Sequence, residues 1–506
     1  MACTTILVGK NASYDGSTII ARNDDAGAGH FTAKKFAVVR PEEQPRHYRS
    51  VLSHVEIDLP DDPMRYTAMP NAVKGEGVWA ACGVNAANVA MTATETLTSN
   101  PRVLGADPLV RLQPSEDGKP EVPGGIGEED LVVLVLPYIK SAREGVLRLG
   151  SLLEQYGTYE MNGIAFQDVD EIWWLETIGG HHWIAKRVPD DSYVVMPNQF
   201  GIDYFDLADA FTDKEEHLCS PDLLEFIADN YLNLADAPGG LGTAFLRAEH
   251  SFDARAAFGS HDDSDHVYNT PRAWYMLRCL NPHTKKWDGP EAEYTPLSDD
   301  LPWCMEPERK LTMEDVKYVL SSHFQGTPYD PYKTYGDTSM RGAYRSIGVN
   351  RTDFFGAVQM RPDVPEDYRA VQWIAYGSNV FNAMVAQYAN VEGVPCYLGN
   401  TTGEVSTDNF YWTSRLIGAM ADAAYAKSIF HIERYQLAAQ SRMHAILKEY
   451  DAKLFAESDD AKRGELRIAA NEAFAAAIRK EASAALDHVL FELSSQMKNA
   501  YLRSDA

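Results

Sequence analysis

The chain has 506 residues, with 46 basic and 73 acidic side chains and a formal net charge of −27. This charge argues against nucleic acids and anionic membranes as partners, because both repel an acidic surface. Hydrophobic residues make up 45% and charged residues 24% of the chain, which is ordinary globular usage and excludes collagen-like and disordered classes.

Six cysteines are scattered along the chain without a CxxC or CxH spacing. Cysteines scattered in this way do not indicate a disulfide framework or a structural zinc site. We therefore expect the protein to occur in a reducing compartment. The first apolar run, TTILVG, is too short for the core of a signal peptide. The later run LVVLVLPYI is far short of the ~20 residues of a membrane span. The sequence therefore predicts a cytoplasmic protein.

The first hundred residues are typical of strands joined by tight turns. The runs TTILVG, STIIAR and KKFAVVR are apolar and β-branched, and Asn, Asp and Gly separate them. The segment VWAACGVNAANVAMTATE predicts a hairpin that turns between Gly83 and Asn88. A loop is expected over residues 114–127, which are rich in Pro, Gly and Glu.

The middle of the chain predicts a helical pair followed by a second β region. Acidic residues open EEDLVVLVLPYIKSAREGVLRLGSLLEQYG, and its apolar residues recur at helical spacing with breaks near Pro137 and Gly145. Four short strand candidates follow: GIAFQD, EIWWLETI, HHWIAKRV and YVVMPNQF. A helix is expected from about Leu218 to Leu234, and irregular sequence from there to about Leu311.

The last third predicts strands and then long helices. The strand candidates between residues 340 and 400 are SIGVN, FFGAVQM, VQWIAYG and VFNAMVAQY. From about Trp412 the chain is rich in Ala, Glu, Lys and Leu and nearly free of Pro, so long helices are expected, with an interruption at Glu457–Asp460. Strands, a helical pair and more strands indicate an α+β fold.

Cys3 stands directly before the first apolar run. A thiol is activated by a nearby base, and an N-terminal residue carries its own base in its free α-amino group. Cys3 is therefore a candidate nucleophile. The alternative is that it is an unreactive residue of a buried strand. A free amino group requires that Met1 and Ala2 be removed, for which the thiol provides a route through an N-to-S acyl shift and hydrolysis.

The motif IIARNDD places Arg22 and Asp25 three residues apart on the second strand. Arg22 is expected to hold the thiol as thiolate, and Asp25 to orient the new ammonium group. A surface salt bridge at the end of a strand is the alternative for this pair.

Two later segments place polar residues at the ends of elements. In YVVMPNQF a strand ends at Pro197 and presents Asn198, whose amide is suited to donate to an oxyanion. In HVYNTPRAW an extended loop over Tyr268–Pro271 is expected to lead into a helix with Arg272 near its start. Each segment by itself also fits a structural turn.

These segments together resemble one family. MACTTILVGK, SYDGSTIIARNDD, GVNAANVAMTATET, VVMPNQFGIDYFD and YNTPRAW are similar to segments of the C69-type dipeptidases, which are N-terminal-nucleophile (Ntn) hydrolases related to bile salt hydrolase and penicillin V acylase. The resemblance runs from Cys3 to about Asn400. It implies an Ntn-hydrolase αββα sandwich over residues 1–410 and a helical extension over residues 411–506.

The resemblance also implies a function and a set of site residues. It implies a cysteine dipeptidase that acts on dipeptides without a metal or other cofactor and forms a homo-oligomer. Cys3 matches the nucleophile and base, Arg22 and Asp25 match the residues that hold the thiolate and the amino group, Asn198 matches an oxyanion donor, and Arg272 matches a second active-site arginine. The acylases have a further oxyanion Asn where this chain has MTATE, so a backbone N–H or Thr94 is expected there.

Three other interpretations stay open. The first is an Ntn amidase or acylase, which needs an apolar pocket. The tryptophans of EIWWLETI and HHWIAKRV either line such a pocket or belong to the hydrophobic core. A non-enzymatic, secernin-like protein is disfavoured by the complete set of site residues. A metal-dependent hydrolase is suggested by GSHDDSDH, which lacks HExxH. His181 and His182 are unassigned, and a polar strand face is expected for them.

Overall fold

The computed structural model describes residues 3–75, 77–116, 118–234, 246–248 and 250–499, without the side chains of residues 93–95. The expected processing site at Met1 and Ala2, and the side chain of Thr94, lie outside this description. The strands, in chain order, are β1 (Thr4–Val8), β2 (Thr18–Asp25), β3 (Ala37–Val39), β4 (His47–Arg49), β5 (Glu56–Asp58), β6 (Tyr66–Ala68), β7 (Cys82–Val84), β8 (Ala90–Thr96), β9 (Asn162–Gln167), β10 (Ile172–Ile178), β11 (His182–Arg187), β12 (Tyr193–Met196), β13 (His217–Cys219), β14 (Cys304–Met305), β15 (Thr352–Met360), β16 (Ala370–Tyr376) and β17 (Val385–Tyr388).

The described helices, in chain order, are α1 (Pro101–Ala106), α2 (Glu128–Val135), α3 (Ala142–Tyr156), α4 (Leu207–Phe211), α5 (Leu223–Asp229), α6 (Ala254–Phe258), α7 (Asp265–Tyr268), α8 (Thr270–Leu280), α9 (Met313–Leu320), α10 (Glu366–Arg369), α11 (Cys396–Gly399), α12 (Phe410–Ala423), α13 (Tyr425–Ala456) and α14 (Asp460–Ser494). Short 3-10 turns occur at Pro41–Glu43 and Leu136–Tyr138. The second of these turns contains Pro137, where one break of the helical pair was expected. The other break, expected near Gly145, was wrong, because Gly145 lies inside α3.

Two antiparallel sheets form the centre of the fold. The larger has seven strands in the order β14-β12-β1-β2-β15-β16-β17, and the smaller has six in the order β13-β11-β10-β9-β8-β7. Strand β1 lies inside the larger sheet and pairs with β12 on one side and β2 on the other. The expected hairpin is confirmed, because β7 and β8 are antiparallel neighbours. The start of β1 is therefore held on both sides.

Alternating side chains divide the core into layers. Leu7 and Ile20 of the larger sheet share a buried cluster with Trp174 and Ile184 of the smaller sheet. Their neighbour Ile6 points the opposite way and belongs to a second cluster that includes residues of α8, α9 and the C-terminal helices. A third cluster joins the smaller sheet to α2 and α3. The layers follow one another as helices, sheet, sheet and helices, which confirms the α+β class.

Three helices, α12, α13 and α14, form the C-terminal region. They are joined to the larger sheet by Asn471, whose side chain accepts a hydrogen bond from the Tyr388 N–H at 2.8 Å and donates one to the Tyr388 carbonyl at 3.0 Å. The expected interruption is confirmed, since α13 ends at Ala456 and α14 begins at Asp460. A domain boundary near residue 410 stays a prediction. Among the described helices, none has the length and apolar character needed to cross a membrane.

Some expected elements were wrong. The helix expected from Leu218 is shorter, because Leu218 lies in β13 and α5 covers only Leu223–Asp229. The segment SIGVN forms no strand. Tyr268 ends helix α7 rather than opening an extended loop, and α8 begins two residues later. Pro271 is compatible with this helix because its missing N–H falls in the first turn, where it is not needed.

Candidate active site

The register of β1 and β2 brings a thiol, a guanidinium and a carboxylate to one face of the larger sheet. Thr5 pairs with Arg22, and the same register extended toward the chain start places Cys3 opposite Asp24. Successive side chains of a strand alternate between the two faces. Cys3, Arg22 and Asp24 therefore lie on the face that Leu7 directs toward the second sheet.

The Arg22 guanidinium is the centre of this group. Its Nη2 lies 2.9 Å from Cys3 Sγ, 2.8 Å from Asp24 Oδ1 and 3.1 Å from Glu128 Oε1. Glu128 is the first residue of α2 and so enters from a different layer. All four side chains are buried. We call Cys3, Arg22, Asp24 and Glu128 the thiol site.

A second cation, Lys34, contacts the oxygen of Asp24 that Arg22 does not bind. Lys34 Nζ lies 3.1 Å from Asp24 Oδ2 and donates to the Trp79 carbonyl, also at 3.1 Å. Burial raises the pKa of Asp24, but the charges of Lys34 and Arg22 outweigh it and bring that pKa below its ordinary value. Asp24 therefore stays ionised and fixes the guanidinium beside the thiol.

The thiol site also contains the group of potential metal ligands found among the described residues. One ligand atom each of Cys3, Asp24 and Glu128 lies within 4.8 Å of the others. Arg22 Nη2 lies within 3.1 Å of Cys3 Sγ and of one carboxylate oxygen each of Asp24 and Glu128. A guanidinium cation thus already occupies the position at which these ligands converge.

The acidic segment GSHDDSDH has local partners instead of a common centre. Asp265 accepts a hydrogen bond from Asn269 Nδ2 at 2.6 Å and one from Ser260 Oγ at 2.9 Å. His266 Nε2 lies 2.8 Å from Asp299 Oδ1. In the described part of this segment these contacts connect short helices and turns.

Arg272 connects the backbone of the candidate nucleophile to the candidate oxyanion donor. Nη1 of Arg272 donates to the Cys3 carbonyl at 2.5 Å and to Thr4 Oγ1 at 2.6 Å, and Nη2 donates to Asn198 Oδ1 at 2.8 Å. Because arginine only donates hydrogen bonds, the oxygen of Asn198 must face it. The amide nitrogen of Asn198, which is the donor an oxyanion requires, is directed away from Arg272.

Asp25 lies on the opposite face of the sheet from Arg22. Residues three apart in a strand point to opposite faces, and the Asp25 carboxylate is bonded to Arg345 and, at 2.5 Å, to Thr352 Oγ1. The structure brings Cys3, Arg22, Asn198 and Arg272 into one network of contacts, whereas Asp25 joins a neighbouring ion pair. Its expected role toward the amino group stays a prediction.

The sequence analysis missed Asp24, Lys34 and Glu128. Asp24 had a usable signal, because it is two residues from Arg22 and a strand places such residues on one face. Lys34 and Glu128 had none, since their contacts depend on how a loop and a helix pack against β2.

His181 and His182, which the sequence left unassigned, hold a buried carboxylate. Both backbone N–H groups and both Nδ1 atoms lie within 3.1 Å of the Asp107 oxygens. These hydrogen bonds overcome the effect of burial and lower the pKa of Asp107 to about 2. The two histidines therefore stabilise the turn that follows α1.

A buried thiol beside a guanidinium, with an oriented amide in an adjacent part of the network, is suited to hydrolysis through a thiol nucleophile. The chain belongs to peptidase family C69, whose sequence model matches residues 2–438, and it is therefore a peptidase. It is 53% identical over 542 aligned positions to "Dipeptidase" of Bifidobacterium longum (strain NCC 2705), with all of both chains covered.

Two further relatives extend this similarity. The chain is 51% identical over 506 positions to "Probable dipeptidase A" of Streptococcus pyogenes serotype M3 (strain SSI-1), again with all of both chains covered. It is 45% identical to "Dipeptidase A" of Lactobacillus helveticus over 426 positions, which cover 84% of this chain and 82% of that relative.

Proposed function

We propose that this peptidase hydrolyses dipeptides with Cys3 as its nucleophile, after Met1 and Ala2 have been removed. The observation that carries the proposal is the position of Arg22 Nη2, 2.9 Å from a buried thiol at the start of an interior strand. The names of the relatives support dipeptides as the substrate class. The four-layer arrangement of helices and antiparallel sheets supports an Ntn-hydrolase fold.

The mechanism follows from the chemistry of an N-terminal cysteine. Cys3 Sγ attacks the scissile carbonyl carbon, and the α-amino group takes the thiol proton and passes it to the leaving amine. The S–C bond forms, the C–N bond breaks, and the first amino acid remains as a thioester. Water, deprotonated by the same amino group, then hydrolyses the thioester. Asn198 and backbone N–H groups stabilise the oxyanion of both steps.

Arg22 and Arg272 have separate tasks in this mechanism. Arg22 stabilises the thiolate, because its charge lies on the same sheet face as the sulfur. Arg272 is a positioning residue, since it holds the Cys3 carbonyl and the Asn198 amide together. Both side chains are fully buried, so their charges are weakly screened.

The tryptophans favour a dipeptidase over an acylase. Trp173 and Trp183 belong to the cluster between the smaller sheet and its helices, and Trp174 belongs to the cluster between the two sheets. All three therefore contribute to the core, and they do not supply the apolar acyl pocket that an acylase needs.

Turnover of free and N-acetylated dipeptides, with Cys3→Ala and Cys3→Ser beside the wild type, tests the proposal. We expect the wild type to hydrolyse the free dipeptides and both variants to lose this activity. Cys396→Ser is a matched control, because it removes an exposed thiol outside the thiol site. Full activity in both Cys3 variants would refute the nucleophile, and hydrolysis of only the N-acetylated compounds would favour an acylase.

A further inference from the structure

The dipeptidase function proposed above places a strict demand on the surroundings of the thiol. The free amino nitrogen of a dipeptide is bonded to the carbon next to the attacked carbonyl. When that carbonyl carbon is in position for attack, about 3–3.5 Å from Cys3 Sγ, the ammonium must lie only a few ångströms from the sulfur. A residue that recognises the ammonium therefore belongs to the immediate surroundings of the thiol.

Two carboxylates meet this demand. Oxygens of Asp24 and Glu128 lie within 4.8 Å of Cys3 Sγ and of each other. Asp24 is engaged by two protein cations, since Arg22 binds Oδ1 and Lys34 binds Oδ2. The charge of Asp24 is thus already compensated by Arg22 of β2 and by Lys34 of the segment that follows β2.

Glu128 differs from Asp24 in its position and its neighbours. It lies on the first turn of α2, which packs against the smaller sheet, and its carboxylate reaches Arg22 of the larger sheet. Its backbone N–H donates to Glu160 Oε1 at 2.7 Å. Burial and then the charge of Glu128 raise the pKa of Glu160, as expected where acidic groups crowd together.

The charges around Glu128 favour an additional cation. In the mechanism above, the proton of the ionised thiol rests on the α-amino group of Cys3, so this residue adds no net charge. The three carboxylates of Asp24, Glu128 and Glu160 then outnumber the two cations of Arg22 and Lys34. In a buried site such an imbalance stabilises a bound ammonium group and disfavours a neutral amide in the same place.

We propose that the Glu128 carboxylate binds the free α-ammonium of the dipeptide and thereby restricts the enzyme to substrates with an unblocked N-terminus. The ammonium donates a charge-assisted hydrogen bond to Glu128 while the neighbouring carbonyl faces Cys3 Sγ. Arg22 remains between the carboxylate and the sulfur and keeps the two negative groups apart.

The alternative is that Glu128 acts only by holding Arg22. The two roles differ in what a substitution changes. A residue that binds the ammonium affects only ligands that carry this group, whereas a residue that acts through Arg22 affects thiol reactivity and every ligand alike.

Inhibition by two ketomethylene isosteres of one dipeptide, with and without the amino group, separates these roles. Wild type, Glu128→Gln and the control Glu129→Gln are compared, with the alkylation rate of Cys3 and the Tm of each protein. Glu129 is the matched control because it is the next carboxylate on α2 and binds Ser50 Oγ and the Leu52 N–H instead of Arg22. Hydrolysis of the parent dipeptide by the wild type tests the proposed function separately.

We expect the wild type and Glu129→Gln to bind the amino-bearing isostere more tightly, and Glu128→Gln to lose about 100-fold of this preference with little change in alkylation rate. The proposal would be overturned if Glu128→Gln kept the preference for the amino-bearing isostere, or if the wild type showed no such preference. It would also be overturned if Glu128→Gln lost affinity equally for both isosteres. If Glu128→Gln does not fold, Glu128→Asp shortens the same carboxylate by one methylene, and an unchanged preference in that variant overturns the proposal as well.

Discussion

Replacing Arg22 by glutamine tests the electrostatic part of the mechanism. The substitution keeps hydrogen-bond donors near Cys3 but removes the charge that lies 2.9 Å from Sγ. It also leaves the carboxylates of Asp24 and Glu128 beside the sulfur without the guanidinium that contacts both of them. We therefore expect less thiolate and a lower Tm.

The magnitude follows from the geometry. With an effective dielectric constant of about 20, one charge at this distance contributes about 6 kcal/mol, which is an upper limit. Opposite charges within this range shift an ionisation by about 1–3 pKa units, or about 1.4–4 kcal/mol. Arg22→Gln should therefore lower the thiolate population and kcat/KM by about 10- to 1000-fold.

Alkylation of Cys3 by iodoacetamide, followed by peptide mass spectrometry, measures this loss directly. Cys82 is an internal reference, because burial raises the pKa of its thiol to about 12 and keeps it protonated. Arg22→Lys retains the charge and should stay within about 10-fold of the wild type. The two proteins are compared after intact mass has shown that they begin at the same residue. An alkylation rate and a kcat/KM equal to those of the wild type in Arg22→Gln would refute the reasoning.

Three further outcomes are expected. Asn198→Ala should lower kcat by about 100- to 1000-fold with little change in KM, and an unchanged kcat would remove Asn198 from the oxyanion site. Burial raises the pKa of Glu176 to about 7, so its ionisation costs stability as the pH rises from about 4.5 to 7. Denaturant titrations at pH 5 and 8 should show Glu176→Gln gaining about 3 kcal/mol over the wild type at the higher pH, and equal differences at both would contradict this. Activity should survive excess chelator, because a guanidinium occupies the centre of the thiol site; a loss restored by metal would contradict this.

The regular elements of the fold were largely predictable because their patterns are local. The apolar runs of β1 and β2, the hairpin of β7 and β8, and the Ala-rich C-terminal helices each follow from periodicity and turn residues. Helix α7 was missed because it is only four residues long and the polar sequence before Tyr268 has no apolar period.

The site was predictable only where it lies within one motif. Arg22 was found because the motif IIARNDD places it on the strand that follows Cys3. Strand alternation would have selected Asp24 over Asp25 as its companion on the same face. Glu128 lies 106 residues from Arg22, and their contact arises because α2, which packs against the smaller sheet, begins beside the face of β2 that carries Arg22. No local pattern encodes such a contact.

The most direct test of the account is the intact mass of the active enzyme, combined with selective labelling of its N-terminal cysteine. The account predicts a chain lighter than the encoded one by one Met and one Ala residue, whose first residue is Cys3 and whose labelling abolishes dipeptide hydrolysis. A fully active enzyme that still begins at Met1 or Ala2 would contradict it.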